Sequence, residues 1–335
     1  MRPKIGLALS GASGRAIAHA GVLDVLTENN IPVDYIASCS SAAIIAAAYA
    51  TGTLPELKHE IFTRLTQKDF LNLISPSDNS SGLFSLNPAR ERLSKYTKGL
   101  NIEHVRPHLA FATVDLNTGE EVPISMGDML NGIVASCSVP GLFEPIKWGN
   151  KTLADGGLVN LVPAEMVKSM GADIVISVDI AATKYMFTEK SLKIFKNLVF
   201  LIQTSKIPYN YLKKLFTYVK NNLGVGNYIQ FYSQSDVLDE SEKLPDIVQV
   251  VAKVIEISRS QGKNPYEKFS DVILLPDVKH LGKTDFKSSR LAYEEGRRAT
   301  LATLPHIKKL LGAPAKEPLR IKKLTKRLST QSPSE

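Results

Sequence analysis

Residues 5–16 read Ile-Gly-Leu-Ala-Leu-Ser-Gly-Ala-Ser-Gly-Arg-Ala. The first six predict a short buried strand, and an amphipathic helix is expected after the loop, running to about Asn29. The small residues of the loop Gly11–Ala16 place free amide groups at a helix start, which is typical of an anion-binding nest. A phosphate site is disfavoured, because Gly11-x-x-Gly14 matches neither the dinucleotide fingerprint nor the P-loop. Such a loop suits the oxyanion formed during acyl transfer.

Beyond this loop the sequence alternates predicted strands and helices. Tyr35–Ser38 predicts a second strand, and an alanine-rich helix is expected from Ser41 to about Thr51. Further strands are predicted at Leu109–Asp115, Val122–Met126, Asp173–Asp179 and Asp271–Leu275, and further helices at Pro88–Thr97, Pro163–Met170, Leu244–Ser260 and Ser289–Leu311, the last with a break near Pro305. This order implies an α/β fold with a parallel sheet and helical crossovers.

The pentapeptide Ser38-Cys-Ser-Ser-Ala42 lies between the second strand and its helix. A sharp strand-to-helix turn here would project Ser40 as a nucleophile, provided that the residues two before and two after it are small. Ser38 and Ala42 are small, although the usual elbow has glycine at both places. The dipole of the following helix favours negative charge developing at Ser40. Taken alone, the pentapeptide is more typical of an N-cap serine.

Leu153-Ala-Asp-Gly-Gly157 supplies a carboxylate. An aspartate before two glycines is by default a tight turn. Beside an exposed serine, Asp155 can accept the serine proton and later return it to the leaving group, if desolvation raises its pKa toward the working pH. Paired with Ser40, Asp155 would form a dyad in which one residue does the work of a His–Asp pair.

The composition is that of a soluble globular protein, with 44% hydrophobic and 22% charged residues. About 18 apolar residues never follow one another without a charge, so no transmembrane helix is predicted. The apolar stretch after Lys4 is too short for a signal-peptide core. Two cysteines, Cys39 and Cys137, fit a reducing compartment. The expected location is the cytoplasm.

A net charge of +8 suggests contact with something anionic. The basic residues are concentrated in a lysine- and aromatic-rich segment at about 184–240 and in a tail, 313–335. The segment is predicted to be a helical insertion or cap, and the tail to be mobile. Two interpretations of the segment stay open: a cap that contacts an anionic membrane peripherally, or helices that pack their aromatics on the core. No nucleic acid partner is expected.

Several further motifs follow one another in order along the chain. They are Gly6–Gly11, Arg15, His19, Gly21–Leu23 and Asp34–Ala37, then Ala112–Gly119, Ala135–Phe143 and Asp155–Asn160, and finally Pro276–Val278, His280–Gly282, Tyr293, Gly296 and Ala299. Together they resemble the patatin-like phospholipases. The likeness covers about residues 4–312 apart from the insertion, so a patatin-like acyl hydrolase domain is expected over residues 1–312.

This resemblance implies a three-layer α/β/α sandwich with a mainly parallel central sheet. It also implies hydrolysis of fatty-acyl esters, such as phospholipids or lysophospholipids, without a metal or cofactor. Ser40 matches the family's nucleophile and Asp155 its base, while the oxyanion hole falls on Gly11, Ala12, Ser13, Gly14 and Arg15. The two loops have four glycines fewer than the family pattern. That departure motivates the alternative of a catalytically impaired lipid- or membrane-binding protein.

A triad of Ser40, Asp155 and His280 would match the chain order of α/β-hydrolases. That fold, however, normally places its nucleophile after several strands, and only two are predicted before Ser40. His280 is therefore expected to be a structural loop residue.

Four other polar residues have simpler interpretations. His19 is expected to pack beneath the oxyanion loop, Cys39 to be a small buried thiol, and Asp115 to make a hairpin turn. Two roles stay open for Arg15, which could neutralise a bound anion or stabilise the loop.

Overall fold

The computed structural model describes residues 2–65, 69, 72–77, 81–181, 266–281 and 286–312. The predicted insertion at about 184–240, the predicted helix Leu244–Ser260 and the basic tail 313–335 lie outside the described residues. The division into a hydrolase domain over 1–312 and a tail therefore stays a prediction.

Eight strands form one mixed sheet. Their bounds are β1 Ile5–Leu9, β2 Tyr35–Cys39, β3 His108–Asp115, β4 Glu121–Ile124, β5 Ile146–Trp148, β6 Lys151–Asp155, β7 Ile174–Val178 and β8 Val272–Leu274. The strands β8, β7, β1, β2 and β3 pair in this order, all in parallel. In contrast, β4 and β6 pair antiparallel with β3, and β5 pairs antiparallel with β6. Every strand predicted from the sequence is present.

Helices cover both faces of this sheet. Their bounds are α1 Ile17–Glu28, α2 Ala42–Ala50, α3 Leu54–Thr63, α4 Asn87–Thr97, α5 Met129–Cys137, α6 Ala164–Ser169, α7 Tyr266–Phe269 and α8 Ser289–Leu311. Successive strand residues point to opposite faces. Large side chains such as Leu7 and Ile36 pack with α1, α2 and α8, while the small Ala8 and Ala37 pack with α6. The predicted three-layer α/β/α sandwich is confirmed.

The central strand β3 has three partners, and their register decides where two other strands end. Residues 111–114 of β3 pair with β4 along one edge. Since β2 pairs with β3 as far as Ala112, and β6 pairs with it from Thr113, both must lie along the opposite edge. They meet there end to end, with Cys39 opposite Ala112 and Asp155 opposite Thr113. The register thus brings the ends of β2 and β6 together on adjacent residues of one strand.

The helices α1 and α8 touch backbone to backbone at two glycines. A Cβ added to Gly21 would lie 2.1 Å from the carbonyl oxygen of Tyr293, and one added to Gly296 would lie 1.9 Å from that of Ala18. Neither approach leaves room for a side chain, so this crossing fixes α8 against α1.

The helix α8 continues through Pro305, so the predicted break at that residue is wrong. Proline lacks an amide hydrogen and therefore leaves the carbonyl of Leu301, four residues earlier, without its helical donor. Leu301 is 48% exposed, so this loss falls on the solvent-facing side of the helix. Within the described ranges, no helix has both the length and the hydropathy to cross a bilayer.

Candidate active site

Ser40 occupies a sharp turn between β2 and α2. The strand ends at Cys39, the helix begins at Ala42, and Ser40 has a left-handed backbone with φ +54°. A residue other than glycine costs about 1–2 kcal/mol in this conformation. The Ser40 amide donates a hydrogen bond to the Ser136 hydroxyl at 2.9 Å. The expected sharp strand-to-helix turn therefore forms, although Ser38 and Ala42 stand where glycines are usual in a nucleophile elbow.

The loop Gly11–Ala16 packs directly against this turn. A Cβ added to Gly11 would lie 2.6 Å from the Cβ of Ser40, so only glycine fits there without a shift. Ser13 has a left-handed backbone with φ +55°. The Ala12 amide makes a long contact of 3.4 Å with the Ser41 hydroxyl, and the amides of Gly11 and Ser13 donate to no acceptor among the described residues. The loop thus places near Ser40 two amides that have no acceptor among the described residues.

Asp155 is the last residue of β6 and is fully buried. Its amide donates to the Ser138 carbonyl at 2.9 Å. Its Oδ1 accepts a hydrogen bond from the Gly157 amide at 2.8 Å and a weaker one from the Cys39 thiol at 3.5 Å. Gly156 lies so close to β3 that a Cβ there would stand 2.6 Å from the Ala112 carbonyl carbon. The carboxylate is thus held at the end of the strand, on the side where β2 ends.

The environment of Asp155 suits a general base. Burial raises the pKa of Asp155 to about 6, against smaller lowering effects of the Ser40 hydroxyl, the Gly157 amide and the Cys39 thiol. Oδ2 has no hydrogen-bond partner within the described chain, so the interaction with the Ser40 hydroxyl falls short of a formed bond. Such pairs are often loose before substrate binds.

Arg15 faces away from the candidate nucleophile. Its Nε donates to the Leu281 carbonyl at 2.8 Å, and its Nη2 donates to the Lys279 carbonyl at 2.9 Å. It is buried and is absent from the cavity wall on which Gly11–Gly14 and Ser40 lie. Of the two roles left open by the sequence, these contacts favour stabilisation of the loop.

His19 lies beneath the same loop and is fully buried. Its Nε2 donates to the Ser10 carbonyl at 2.8 Å, because a carbonyl can only accept. Burial lowers the pKa of His19 to about 4, so the ring is neutral at pH 7. It therefore acts as an uncharged support at the end of β1.

A cavity of about 560 Å³ opens at Ser40 and Asp155. Its walls are mostly aliphatic and aromatic side chains, including Ile44, Ile45, Leu93, Ile133, Val139 and Phe143. Besides Asp155, the charged residues among its described walls are Glu60 and Arg92, which form an ion pair with each other. The Tyr96 hydroxyl donates to the second oxygen of Glu60 at 2.5 Å. Such a cavity offers an apolar chain a site next to Ser40 and Asp155.

The remaining sequence candidates lie outside this arrangement. His280 is exposed and is absent from the described cavity wall, so the structure does not bring it to Ser40 and Asp155. Asp115 makes the predicted hairpin turn, accepting from the amides of Asn117 and Gly119. Cys39 is fully buried, and burial raises its pKa well above the usual range.

Two hydrogen bonds that position Ser40 and Asp155 were not predicted from the sequence. The Ser136 hydroxyl holds the Ser40 amide, and the Ser138 carbonyl holds the amide of Asp155. Both residues belong to the Ala135–Phe143 motif, so the family resemblance marked this segment of the chain. Nothing in the sequence indicated which groups Ser136 and Ser138 would bind.

Unsatisfied polar atoms are concentrated at this site. Within the described chain, four buried side-chain atoms have no hydrogen-bond partner: Arg15 Nη1, His19 Nδ1, Ser38 Oγ and Asp155 Oδ2. Ser38 lies just before the Ser40 turn, Arg15 and His19 belong to the loop Gly11–Ala16 and the helix that follows it, and Asp155 ends β6.

Residues 7–168 match the family model of patatin-like phospholipases. An "uncharacterized NTE family protein" of Mycobacterium tuberculosis is 31% identical over 53% of this chain and 49% of its own length. A second protein of that description from the same species is 26% identical over 90% of this chain and 46% of its own. "Patatin-like phospholipase domain-containing protein 7" of Mus musculus is 30% identical over 53% of this chain and 14% of its own.

The chain thus spans about half the length of the mycobacterial relatives. The matched region holds β1 with its loop, the Ser40 elbow and Asp155, so the family likeness and the site coincide. The chain belongs to the patatin-like phospholipase family.

Proposed function

We propose that the chain hydrolyses fatty-acyl esters of lipids through a dyad of Ser40 and Asp155. The observation that carries this proposal is the presence of a left-handed Ser40 and a fully buried Asp155 in the wall of one apolar cavity. Family membership supports lipid acyl hydrolysis in general.

The reaction would proceed in two displacements. Ser40 Oγ attacks the ester carbonyl carbon while Asp155 takes the hydroxyl proton. The tetrahedral intermediate then collapses, the C–O bond to the alcohol breaks, and Asp155 returns the proton to the leaving oxygen. Water attacks the acyl-Ser40 ester in the same way, releasing the fatty acid and restoring both residues.

The oxyanion of each tetrahedral intermediate would be stabilised by amides of Gly11–Gly14. The Gly11 and Ser13 amides have no acceptor among the described residues, and Gly11 is in contact distance of Ser40. One such donor contributes roughly 3 kcal/mol to transition-state stabilisation. In this proposal Arg15 supports the loop from behind through its bonds to residues 279 and 281.

The substrate class follows from the cavity. Its apolar walls suit a fatty-acyl chain, so we assign phospholipids, lysophospholipids or simpler carboxylic esters as candidates. Peripheral contact with an anionic membrane stays a prediction, because the basic segments on which this prediction rests lie outside the described residues.

The test is a comparison of the wild type with Ser40→Ala and Asp155→Asn. Each protein is treated with a fluorophosphonate probe and assayed on a panel of phospholipid, lysophospholipid, neutral ester and thioester. We expect Ser40→Ala to lose labelling and hydrolysis, and Asp155→Asn to lose roughly 10²–10⁴-fold in kcat. Circular dichroism checks that both variants fold.

Ser177→Ala is a suitable control, because Ser177 is an equally buried serine of β7 whose hydroxyl pairs with Ser270, and both residues are absent from the described cavity wall. Undiminished hydrolysis by folded Ser40→Ala would refute the dyad. A wild type that sediments with lipid vesicles but hydrolyses no ester would instead support the impaired lipid-binding alternative.

A further inference from the structure

The Ser136 hydroxyl stands between the nucleophile turn and the central strand. It is fully buried, accepts the Ser40 amide at 2.9 Å and donates to the Ala112 carbonyl at 2.8 Å. Because a carbonyl only accepts, the Ser136 proton is directed at Ala112, and an oxygen lone pair is left for Ser40. The orientation of this hydroxyl is thus fixed from both sides.

Ser40 depends on such a contact. Its left-handed backbone, φ +54°, is unfavourable for a serine and persists only where the surroundings impose it. At this point the edge of β3 changes partner, because Thr113 pairs with Asp155 instead of extending the ladder with β2. The Ser136 hydroxyl oxygen accepts the hydrogen bond of the Ser40 amide at the position where the β2 ladder ends.

The same end of α5 also contacts Asp155. Two residues after Ser136, the Ser138 carbonyl accepts the amide of Asp155 at 2.9 Å. Cys137 lies between them and lines the cavity. The end of α5 therefore contacts the backbone of both members of the dyad within three residues.

We infer that Ser136 is a positioning residue of the reaction: its hydroxyl sets the backbone of Ser40, and the end of α5 with its C-cap, Ser136–Ser138, keeps Ser40 and Asp155 at a fixed separation. This inference rests on the proposed function. It also means that the Ser40 amide is already engaged and does not contribute to the oxyanion hole. The donors must come from other amides, such as those of Gly11–Gly14.

The decisive variant is Ser136→Ala, which leaves the Ser40 amide without its acceptor and the Ala112 carbonyl without its donor. We expect kcat on a short-chain ester to fall on the order of 10- to 100-fold, because small displacements of reacting groups have effects of that size. The cavity walls are untouched, so KM should stay near the wild-type value. The rate of fluorophosphonate labelling, which reports Ser40 directly, should fall in parallel with kcat.

Two further variants separate positioning from general stability. Ser136→Thr keeps the hydroxyl and should recover labelling above the level of Ser136→Ala. Ser177→Ala removes an equally buried serine hydroxyl that is absent from the described cavity wall, and should keep wild-type kcat even if its melting temperature falls. If Ser136→Ala does not fold, Ser136→Cys takes its place, since sulfur is a weak acceptor of similar size.

The outcomes distinguish this inference from the proposed function. An active wild type with unchanged kcat in folded Ser136→Ala, or in its Cys replacement, overturns the positioning role and leaves the dyad intact. An equal loss of kcat in Ser177→Ala also overturns it, because the effect would then be one of stability. A wild type that neither reacts with the probe nor hydrolyses any ester of the panel refutes the proposed function itself.

Discussion

Gly11 approaches Ser40 so closely that a Cβ at position 11 would lie 2.6 Å from the Cβ of Ser40. The loop that carries Gly11 is glycine-poor for its family, and so is the elbow that carries Ser40. Glycine is nevertheless retained at position 11, where the contact with Ser40 leaves no room for a side chain. At Ser13, by contrast, a serine takes the left-handed conformation itself, with φ +55°.

Gly11→Ala is expected to abolish most of the ester hydrolysis. The added methyl must displace either the loop amides or Ser40, and a misplaced oxyanion donor costs roughly 10²–10³-fold in kcat. Steady-state kinetics on a soluble ester measure this. Gly312→Ala is the matched control, because its Cβ would meet nothing closer than 3.7 Å and its φ is −78°. A Gly11→Ala enzyme with wild-type kcat would show that the loop amides do not stabilise the oxyanion.

The Cys39 thiol should affect the pH at which kcat/KM rises on the acid limb of the pH–activity profile. With the pKa of Asp155 at about 6, kcat/KM rises with pH as the carboxylate ionises. The thiol lowers this pKa by hydrogen bonding to Oδ1. Cys39→Ala should therefore move the limb to higher pH, and Cys39→Ser, a stronger donor, should move it lower. Shifts in the same direction for both variants would contradict this account.

Asp155→Asn should stabilise the protein at neutral pH. Burial raises the pKa of Asp155 from 3.8 to about 6, so the folded state disfavours the ionised form. This destabilisation is absent below pH 3.8, grows between there and pH 6, and is fully present above. A shift of this size corresponds to on the order of 3 kcal/mol.

Chemical denaturation of wild type and variant at pH 4 and pH 8 measures the difference in unfolding free energy. The expected difference is small at pH 4 and favours Asn at pH 8. Other titrating groups, including His19, occur in both proteins and largely cancel. A difference independent of pH would mean that the carboxylate is not desolvated in the fold.

Gly296→Ala should destabilise the fold. Its Cβ would lie 1.9 Å from the Ala18 carbonyl oxygen, so α1 and α8 must separate. Overpacking of this kind costs roughly 1–3 kcal/mol. Denaturant titration measures the loss, with Gly312→Ala again as the control. Unchanged stability would mean that the two helices are not fixed by this crossing.

The sheet and the elbow could be predicted because their signals are local. The run Ile5–Leu9 and the alternation of strands and helices fix a parallel core, and small residues around Ser40 allow a sharp turn. The course of α8 through Pro305 could not be predicted, because proline normally ends a helix and the outcome depended on which face of the helix met solvent.

The proximity of Ser40 and Asp155 was inferred from family resemblance, since no local pattern relates residues so far apart in the chain. Its physical cause is the register along β3, where β2 stops at Ala112 and β6 starts at Thr113. The contacts of Ser136 depend on this same register and were invisible for the same reason. The Arg15 contacts with residues 279 and 281 join distant parts of the chain and could be read only from the structure.

The four buried polar atoms that have no partner within the described ranges have a consequence for engineering. Ser38 and Asp155 are places where a substitution could raise the melting temperature, because removing an unsatisfied buried group relieves roughly 1–3 kcal/mol of desolvation. At Ser38 such a change affects only the turn, whereas at Asp155 it removes the acid itself. Libraries screened for heat resistance alone would therefore be enriched in variants altered around the dyad, and such screens must select for turnover at every round.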